Sequence, residues 1–306
     1  MILSPNNQLN LFGYDNLFNE FYTLYDQGRF PNKVLLSGQK GIGKSTFSYH
    51  LINSILSKNE EFTYDLKNFK INNQNKTFKL IQNRSHPNFD LIDVLPEKKN
   101  IDINQIRELL SKFQKSSFNS KSRFILIDNI ETLNINSVNA LLKFLEEPSL
   151  NTYFILIHNH KEIPSTLRSR CLEYKIFFSN KKMLDISSKL LNGNIFDLIN
   201  DDLLNYYLTP GKIYILFKFC SDNEIDIKNI NLVKFLSLLI DKKFYKKNTI
   251  IKILIYDFME FFLSKNFRND YNHIANKFLK KIDNMKKFNL DEETLFFDFK
   301  EKILHG

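Results

Sequence analysis

Cysteine is scarce. Only Cys171 and Cys220 occur in 306 residues, and two isolated thiols can build neither a disulfide framework nor a four-cysteine zinc site. Both read as packing residues. Long apolar runs are also missing: no stretch reaches the roughly 18 residues that a membrane helix needs. The start, Met1 to Asn10, lacks the basic and apolar regions of a signal peptide. A cytoplasmic protein with no membrane partner is therefore expected. No repeat of 20 to 50 residues recurs, so a solenoid or propeller is not expected.

What remains is a globular composition, 43% apolar and 14% aromatic, in a chain long enough for two or three domains. The net charge of +9 suits anionic partners such as DNA. Lys, Asn, Ile and Phe are frequent throughout, so a general compositional bias explains the charge equally well. The first half alternates short apolar runs with helical patterns, the signature of a parallel sheet covered by helices. Strands are expected at Val34–Ser37, Leu91–Val94, Phe124–Ile127, Tyr153–Ile157 and Leu172–Phe177. Helices are expected at Ser45–Leu56, at Ile103–Phe113 with Asp102 and Gln105 spaced as a capping box, and after Asn136. In that last helix Val138, Leu141, Leu142 and Leu145 share a face, and Pro148 stops it. The Asn- and Lys-rich stretch Ser57–Asn83 reads as a partly mobile insertion. Beyond Phe177 strand signals vanish and helical patterns take over. This predicts an α/β domain over 1–178, a small helical domain over 179–224 and a helical bundle over 225–306.

The strongest local signal is Gly38-Gln39-Lys40-Gly41-Ile42-Gly43-Lys44-Ser45, which fits G-x-x-x-x-G-K-[ST] without a gap. An apolar strand precedes it and a helix follows, as needed if backbone N–H groups are to meet phosphate at a helix N-terminus. Gly38, Gly41 and Gly43 allow the turn, and Ile42 and Thr46 complete the cradle. Lys44 is expected to reach the β and γ phosphates, and Ser45 to ligate Mg²⁺. The expected cofactors are therefore ATP and Mg²⁺, against the bland alternative of a glycine-rich turn with an exposed lysine. A second acidic position is expected at a strand end. The run Phe124-Ile125-Leu126-Ile127-Asp128 supplies it, with Asp128 holding Mg²⁺ through water. The next residue, Asn129, cannot accept a proton; Glu131 lies two further on, and whether it substitutes is left open. At the end of the Tyr153–Ile157 strand, Ile157, His158 and Asn159 are each left open as the residue that faces the loop.

Four segments go further: Gly28-Arg29 with Leu35-Leu36-Ser37 leading into the loop, Ser85-His86-Pro87, Asn139-Ala140-Leu141-Leu142-Lys143-Phe144-Leu145-Glu146-Glu147-Pro148, and Leu167-Arg168-Ser169-Arg170-Cys171. Through them, over roughly Leu11–Phe177, the chain resembles the bacterial clamp-loader AAA+ family, and within it the delta-prime branch associated with DNA polymerase III. The third and fourth segments are the specific ones, because the phosphate loop alone is shared by many NTPases. The resemblance implies an AAA+ P-loop domain, a helical lid and a C-terminal helical collar. It also implies that Arg170 is an arginine finger entering the nucleotide site of a neighbouring subunit, with Arg168 the weaker candidate. A guanidinium supplied in trans would make hydrolysis depend on assembly. The implied partners are gamma/tau and delta subunits in a hetero-pentamer, a sliding clamp, and primed DNA met through the complex.

Three departures separate the chain from the motor members of the family. Asp128-Asn129 stands where they carry Asp-Glu. The Ser57–Asn83 insertion has no cysteine, so no zinc is expected. Pro210-Gly211-Lys212 offers a lysine where their lid bears a sensor arginine, leaving Lys212 as a phosphate contact without the bidentate fork. The expectation is a subunit that binds ATP and hydrolyses it poorly. The rivals are a hydrolysis-competent motor, with Asp128 and Glu131 sharing the magnesium and water roles, and an unrelated P-loop kinase. The long helical tail and the S-R-C segment count against the kinase.

Overall fold

The computed structural model describes residues 4–95, 98–115, 122–146, 151–159, 162–204, 208–247, 249–266, 273–288 and 292–304. They fall into two compact units, Met1–Ile186 and Ser187–Gly306.

The first unit is built on a five-stranded sheet: β1 (Lys33–Ser37), β2 (Phe89–Ile92), β3 (Arg123–Ile127), β4 (Thr152–His158) and β5 (Leu172–Lys175). Its spatial order is β2-β3-β4-β1-β5, and every pairing is parallel. Strands buried on both faces should read as unbroken apolar runs. Val34, Leu35 and Leu36 of β1 and Phe124 to Ile127 of β3 are such runs, all fully buried. Each buried Leu or Ile contributes about 1.5 to 3 kcal/mol through removal of its side chain from water.

The helices of this unit are α1 (Asp15–Asp26), α2 (Lys44–Leu56), α3 (Lys76–Gln82), α4 (Ile103–Lys115), α5 (Ile135–Glu146), the single turn α6 (Ser165–Arg168) and the start of α7 (Asn180–Leu190). The capping box opens α4 as expected: Gln105 Oε1 accepts from the Asp102 amide at 3.0 Å, and Asp102 Oδ1 accepts from the Asn104 amide. On α5, Val138, Leu141 and Leu145 are buried, and Leu142 packs half-buried beside them. Pro148, expected to stop this helix, and Glu147 before it lie outside the described residues.

Three expectations are corrected. Strand β5 ends at Lys175 rather than Phe177. Strand β2 ends at Ile92, two residues earlier than the apolar pattern suggested, because the Asp93 carboxylate turns back to accept from the Val94 amide at 2.7 Å and breaks the extended run. The stretch 57–83 is built rather than loose. The Glu60 carboxylate accepts from the Thr77 hydroxyl at 2.6 Å and from the Lys76 and Thr77 amides, while Asn75 caps α3 through the Phe78 amide at 2.7 Å. Short polar side chains at a helix start satisfy amides that have no intrahelical partner. The high Asn content therefore serves caps and turns here.

In the second unit α7 ends and α8 (Ile195–Leu198), α9 (Pro210–Asp222), α10 (Leu232–Asp241), α11 (Phe244–Lys247), α12 (Thr249–Asn266), α13 (His273–Phe288) and α14 (Glu292–Phe299) follow. Packing centres on α12, which meets α9, α10, α11 and α13. Phe235, Leu236, Phe258, Met259, Phe296 and Phe299 form its buried core.

Candidate nucleotide site

The phosphate loop runs from the end of β1 into α2. Gly38 has no room for a side chain: a Cβ there would lie 2.6 Å from the Ile176 carbonyl oxygen and 2.8 Å from Ile42 Cδ1. Gly43, the residue before α2, sits at φ +96°, where any residue with a Cβ is strained. Below the loop, the buried Tyr14 donates to the Ile42 carbonyl at 3.1 Å and stacks on Phe47 of α2 with ring centroids 5.0 Å apart. Tyr14 was not legible as a site residue, since an aromatic at the start of an amphipathic helix reads as core.

Lys44 is buried, and its ammonium donates to Gly38 O at 2.7 Å, Gln39 O at 2.8 Å and Asn159 Oδ1 at 2.9 Å. Burial lowers its pKa to about 8, opposed by the negative charges of Asp128 and Glu131. Ser45 donates to Asp128 Oδ2 at 2.7 Å. The two oxygens assigned to magnesium by sequence are thus neighbours across α2 and β3. Burial raises Asp128 to about 6, and the nearby Asp93 carboxylate adds to the rise, while the Ser45 and Asn129 bonds act against it.

Asn129 adopts a left-handed φ of 55°, a conformation that Asn tolerates better than most residues. Its amide side chain donates to Asp93 Oδ1 at 2.7 Å and accepts from Asn159 Nδ2 at 3.0 Å. Glu131 sits on a 3-10 turn, Ile130–Thr132. Its Oε1 accepts from Asn159 Nδ2 at 3.0 Å and its Oε2 from the Asn159 amide at 3.3 Å. Of the three residues left open at the end of β4, Asn159 is the one that reaches Lys44. Ile157 is buried, and the His158 ring lies 3.2 Å from the Ser37 hydroxyl. Asp93 is a site residue that the sequence reading missed; placing it inside a strand concealed that it follows β2 and faces Asn129.

The remaining assigned residues lie elsewhere. Ile42 is buried beneath the loop and Thr46 is half-buried in the first turn of α2. Arg170 follows α6, which Leu167 anchors in the core. Its side chain is 34% exposed, so it is not walled inside its own subunit. Its Nε donates to Glu146 Oε1 at 2.9 Å, its Nη2 donates to the same oxygen, and its Nη1 donates to the Thr166 carbonyl at 2.8 Å. Arg168 is half-exposed, 3.6 Å from Glu173. In the second unit, Lys212 opens α9 and donates to Asp257 Oδ2 of α12 at 2.6 Å. Cys171 is half-buried, Cys220 fully buried, and burial pushes the first thiol up to about 11, so neither is a reactive thiolate.

The chain is similar to known proteins over most of its length. The family model described as "DNA polymerase III, delta subunit" matches residues 13–179, more than half of the 306-residue chain. DNA polymerase III subunit delta' of Buchnera aphidicola subsp. Acyrthosiphon pisum (strain APS) is 27% identical over 266 residues, covering 81% of this chain and 77% of that one. The subunit delta' of Buchnera aphidicola subsp. Schizaphis graminum (strain Sg) is 28% identical over 250 residues, covering 77% and 71%. Among solved structures, a DNA polymerase III gamma subunit-related protein of Thermotoga maritima superposes with a TM-score of 0.47 at 14% identity, over 94% of this chain and 96% of that one. A phosphate loop at the head of α2, an acidic strand end beside it and this match over the first unit lead to one conclusion: the chain belongs to the DNA polymerase III delta-subunit family, within the clamp-loader class of replication proteins.

Proposed function

We propose that the chain is a delta-prime-type clamp-loader subunit that binds ATP with Mg²⁺ in its own phosphate loop, hydrolyses it poorly and offers Arg170 to a neighbouring subunit. One observation carries the weak-hydrolysis reading. The position beside Asp128 where a base would stand holds Asn129, whose carboxamide is bound on both sides by Asp93 and Asn159. An amide has no basicity to take a proton from water. The next carboxylate, Glu131, has both oxygens engaged by Asn159.

The residues present fit a magnesium nucleotide. A glycine turn that excludes side chains leads into the N-terminus of a 13-residue helix, whose first amides lack intrahelical partners and favour phosphate. Lys44 would exchange the Gly38 and Gln39 carbonyls for phosphate oxygens, and Ser45 and Asp128 would hold the metal. The bound group supplies the phosphoanhydride and the divalent charge. The protein supplies orientation and, through Asn159, a direct contact between Lys44 and the end of β4. Lys212 would reach phosphate only by exchanging its Asp257 partner, and weaker nucleotide affinity in Lys212→Ala is the outcome that supports such a contact.

In assembly, the subunit would join gamma/tau- and delta-type partners to place a sliding clamp on primed DNA. Turnover by the isolated chain and by the assembled loader tests the whole reading. The isolated chain should bind nucleotide, lose binding in Lys44→Ala and turn over slowly. Arg170→Ala should slow the loader without altering nucleotide binding by this chain. Fast unassisted hydrolysis abolished by Lys44→Ala would favour the rival motor reading, to which the nearness of Glu131 gives its support.

A further inference from the structure

We propose that Glu146 is the positioning residue for Arg170, a proposal that rests on Arg170 acting as an arginine finger. The guanidinium has five N–H donors in a rigid fork. Three are drawn onto the chain's own acceptors: Nε–H and one Nη2–H onto Glu146 Oε1, and one Nη1–H onto the Thr166 carbonyl. Two N–H groups, one on each terminal nitrogen, are left for an anion brought by another chain. Arg170 itself stands on a turn after a helix of only four residues, and that turn cannot aim a long flexible side chain. The carboxylate and the carbonyl fix the plane of the fork by holding all three of its nitrogens.

The placement of Glu146 supports this role. It stands at the C-terminal end of the described part of α5, where the helix dipole disfavours a carboxylate and favours a cation, so helix stability does not account for it. Arg168, the other arginine of the segment, has a separate carboxylate in Glu173, which leaves Glu146 to Arg170. With the Glu146 side chain 54% exposed and that of Arg170 34% exposed, the pair adds little to folding stability. A large functional effect from its removal would therefore report geometry.

The test compares E146Q with R170A in the loader reconstituted with its gamma/tau- and delta-type partners, the clamp and primed DNA. E146Q keeps the shape and loses the charge. It should lower kcat about tenfold, the scale of a misplaced catalytic group, while KM for ATP, nucleotide binding by this chain and its thermal midpoint stay unchanged. E146A should follow E146Q with an equal or greater loss. R170A should lower kcat further, and the double variant no further than R170A alone. A normal rate in E146Q beside a slow R170A overturns the positioning role and leaves the finger intact. A faster rate in E146Q also overturns it, since Glu146 would then restrain the arginine. Normal rates in both variants overturn the finger reading together with the proposal.

Discussion

Replacing Gly38 by alanine puts the construction of the phosphate loop to a quantitative test. The added Cβ would sit 2.6 Å from the Ile176 carbonyl oxygen and 2.8 Å from Ile42 Cδ1. The isoleucine tip can rotate away. The carbonyl cannot, because it belongs to the backbone just after β5, where the Ile176 amide is bound to Ser37 O at 2.7 Å. Relief therefore requires the end of β1 and the end of β5 to part. Overpacking of this kind costs about 1 to 3 kcal/mol, which lowers the melting midpoint of a unit of this size by roughly 2 to 12 °C. Since the displaced backbone is the loop itself, the stabilisation that MgATP gives in a thermal melt should shrink as well. Gly43→Ala is the matching control. Its Cβ would meet nothing nearer than Tyr14 Cε2 at 3.4 Å, but φ +96° makes the substitution strained by about 1 to 2 kcal/mol. An unchanged midpoint and an unchanged nucleotide shift in Gly38→Ala would refute the close approach and the reasoning built on it.

Asp128, raised to about 6 by burial, stabilises the fold while protonated, below about pH 4, and loses that contribution as pH climbs through 6. Asp128→Asn should accordingly raise the unfolding free energy at pH 8 by up to ~3 kcal/mol, the worth of about two pKa units, with the gain fading by pH 4; denaturant titrations across that range check it. Magnesium should show the opposite trend, because only the carboxylate ligates it, so the Mg²⁺-dependent part of nucleotide affinity should fall below pH 6 in the native chain. Glu131→Gln should leave the slow hydrolysis of the isolated chain within about a factor of two, since both carboxylate oxygens accept from Asn159; a tenfold loss would make Glu131 the base.

The phosphate loop and the acidic strand end were legible because local pattern and chemistry coincide there. A Gly-Lys-Ser run after a buried strand and an aspartate closing an apolar run are both local statements. The middle of the parallel sheet was legible for the same reason, since the buried strands β1, β3 and β4 leave apolar runs, whereas the edge strands β2 and β5 are partly exposed and carry Asp90, Glu173 and Lys175. The partners of these residues were not. Nothing near Asp93 in sequence announces Asn129, and nothing near Glu146 announces Arg170, 24 residues away. Asn159 could be narrowed to one of three positions, but choosing among them needed the register of β4 against β1, which pairs Ser37 with His158 and carries the next residue past the strand end. The polar stretch 57–83 misled because asparagine is rich both in loose loops and in caps, and only tertiary partners such as Glu60 distinguish the two.

Asp93, Asn129, Asn159 and Lys44 each follow a strand, and their side chains join in the spatial order β2, β3, β4, β1. The stitching runs crosswise to the chain, linking residues 36, 30 and 115 positions apart. No fragment of the sheet can complete it: Lys44 finds Gly38 O and Gln39 O within its own loop and Asn159 across β1 and β4, but the line of side chains from it to Asp93 closes only after four strands have docked. On the proposed nucleotide-binding reading, affinity would then report on finished assembly of the sheet, and a ligand gripping Lys44 would brace the edge strand three places away.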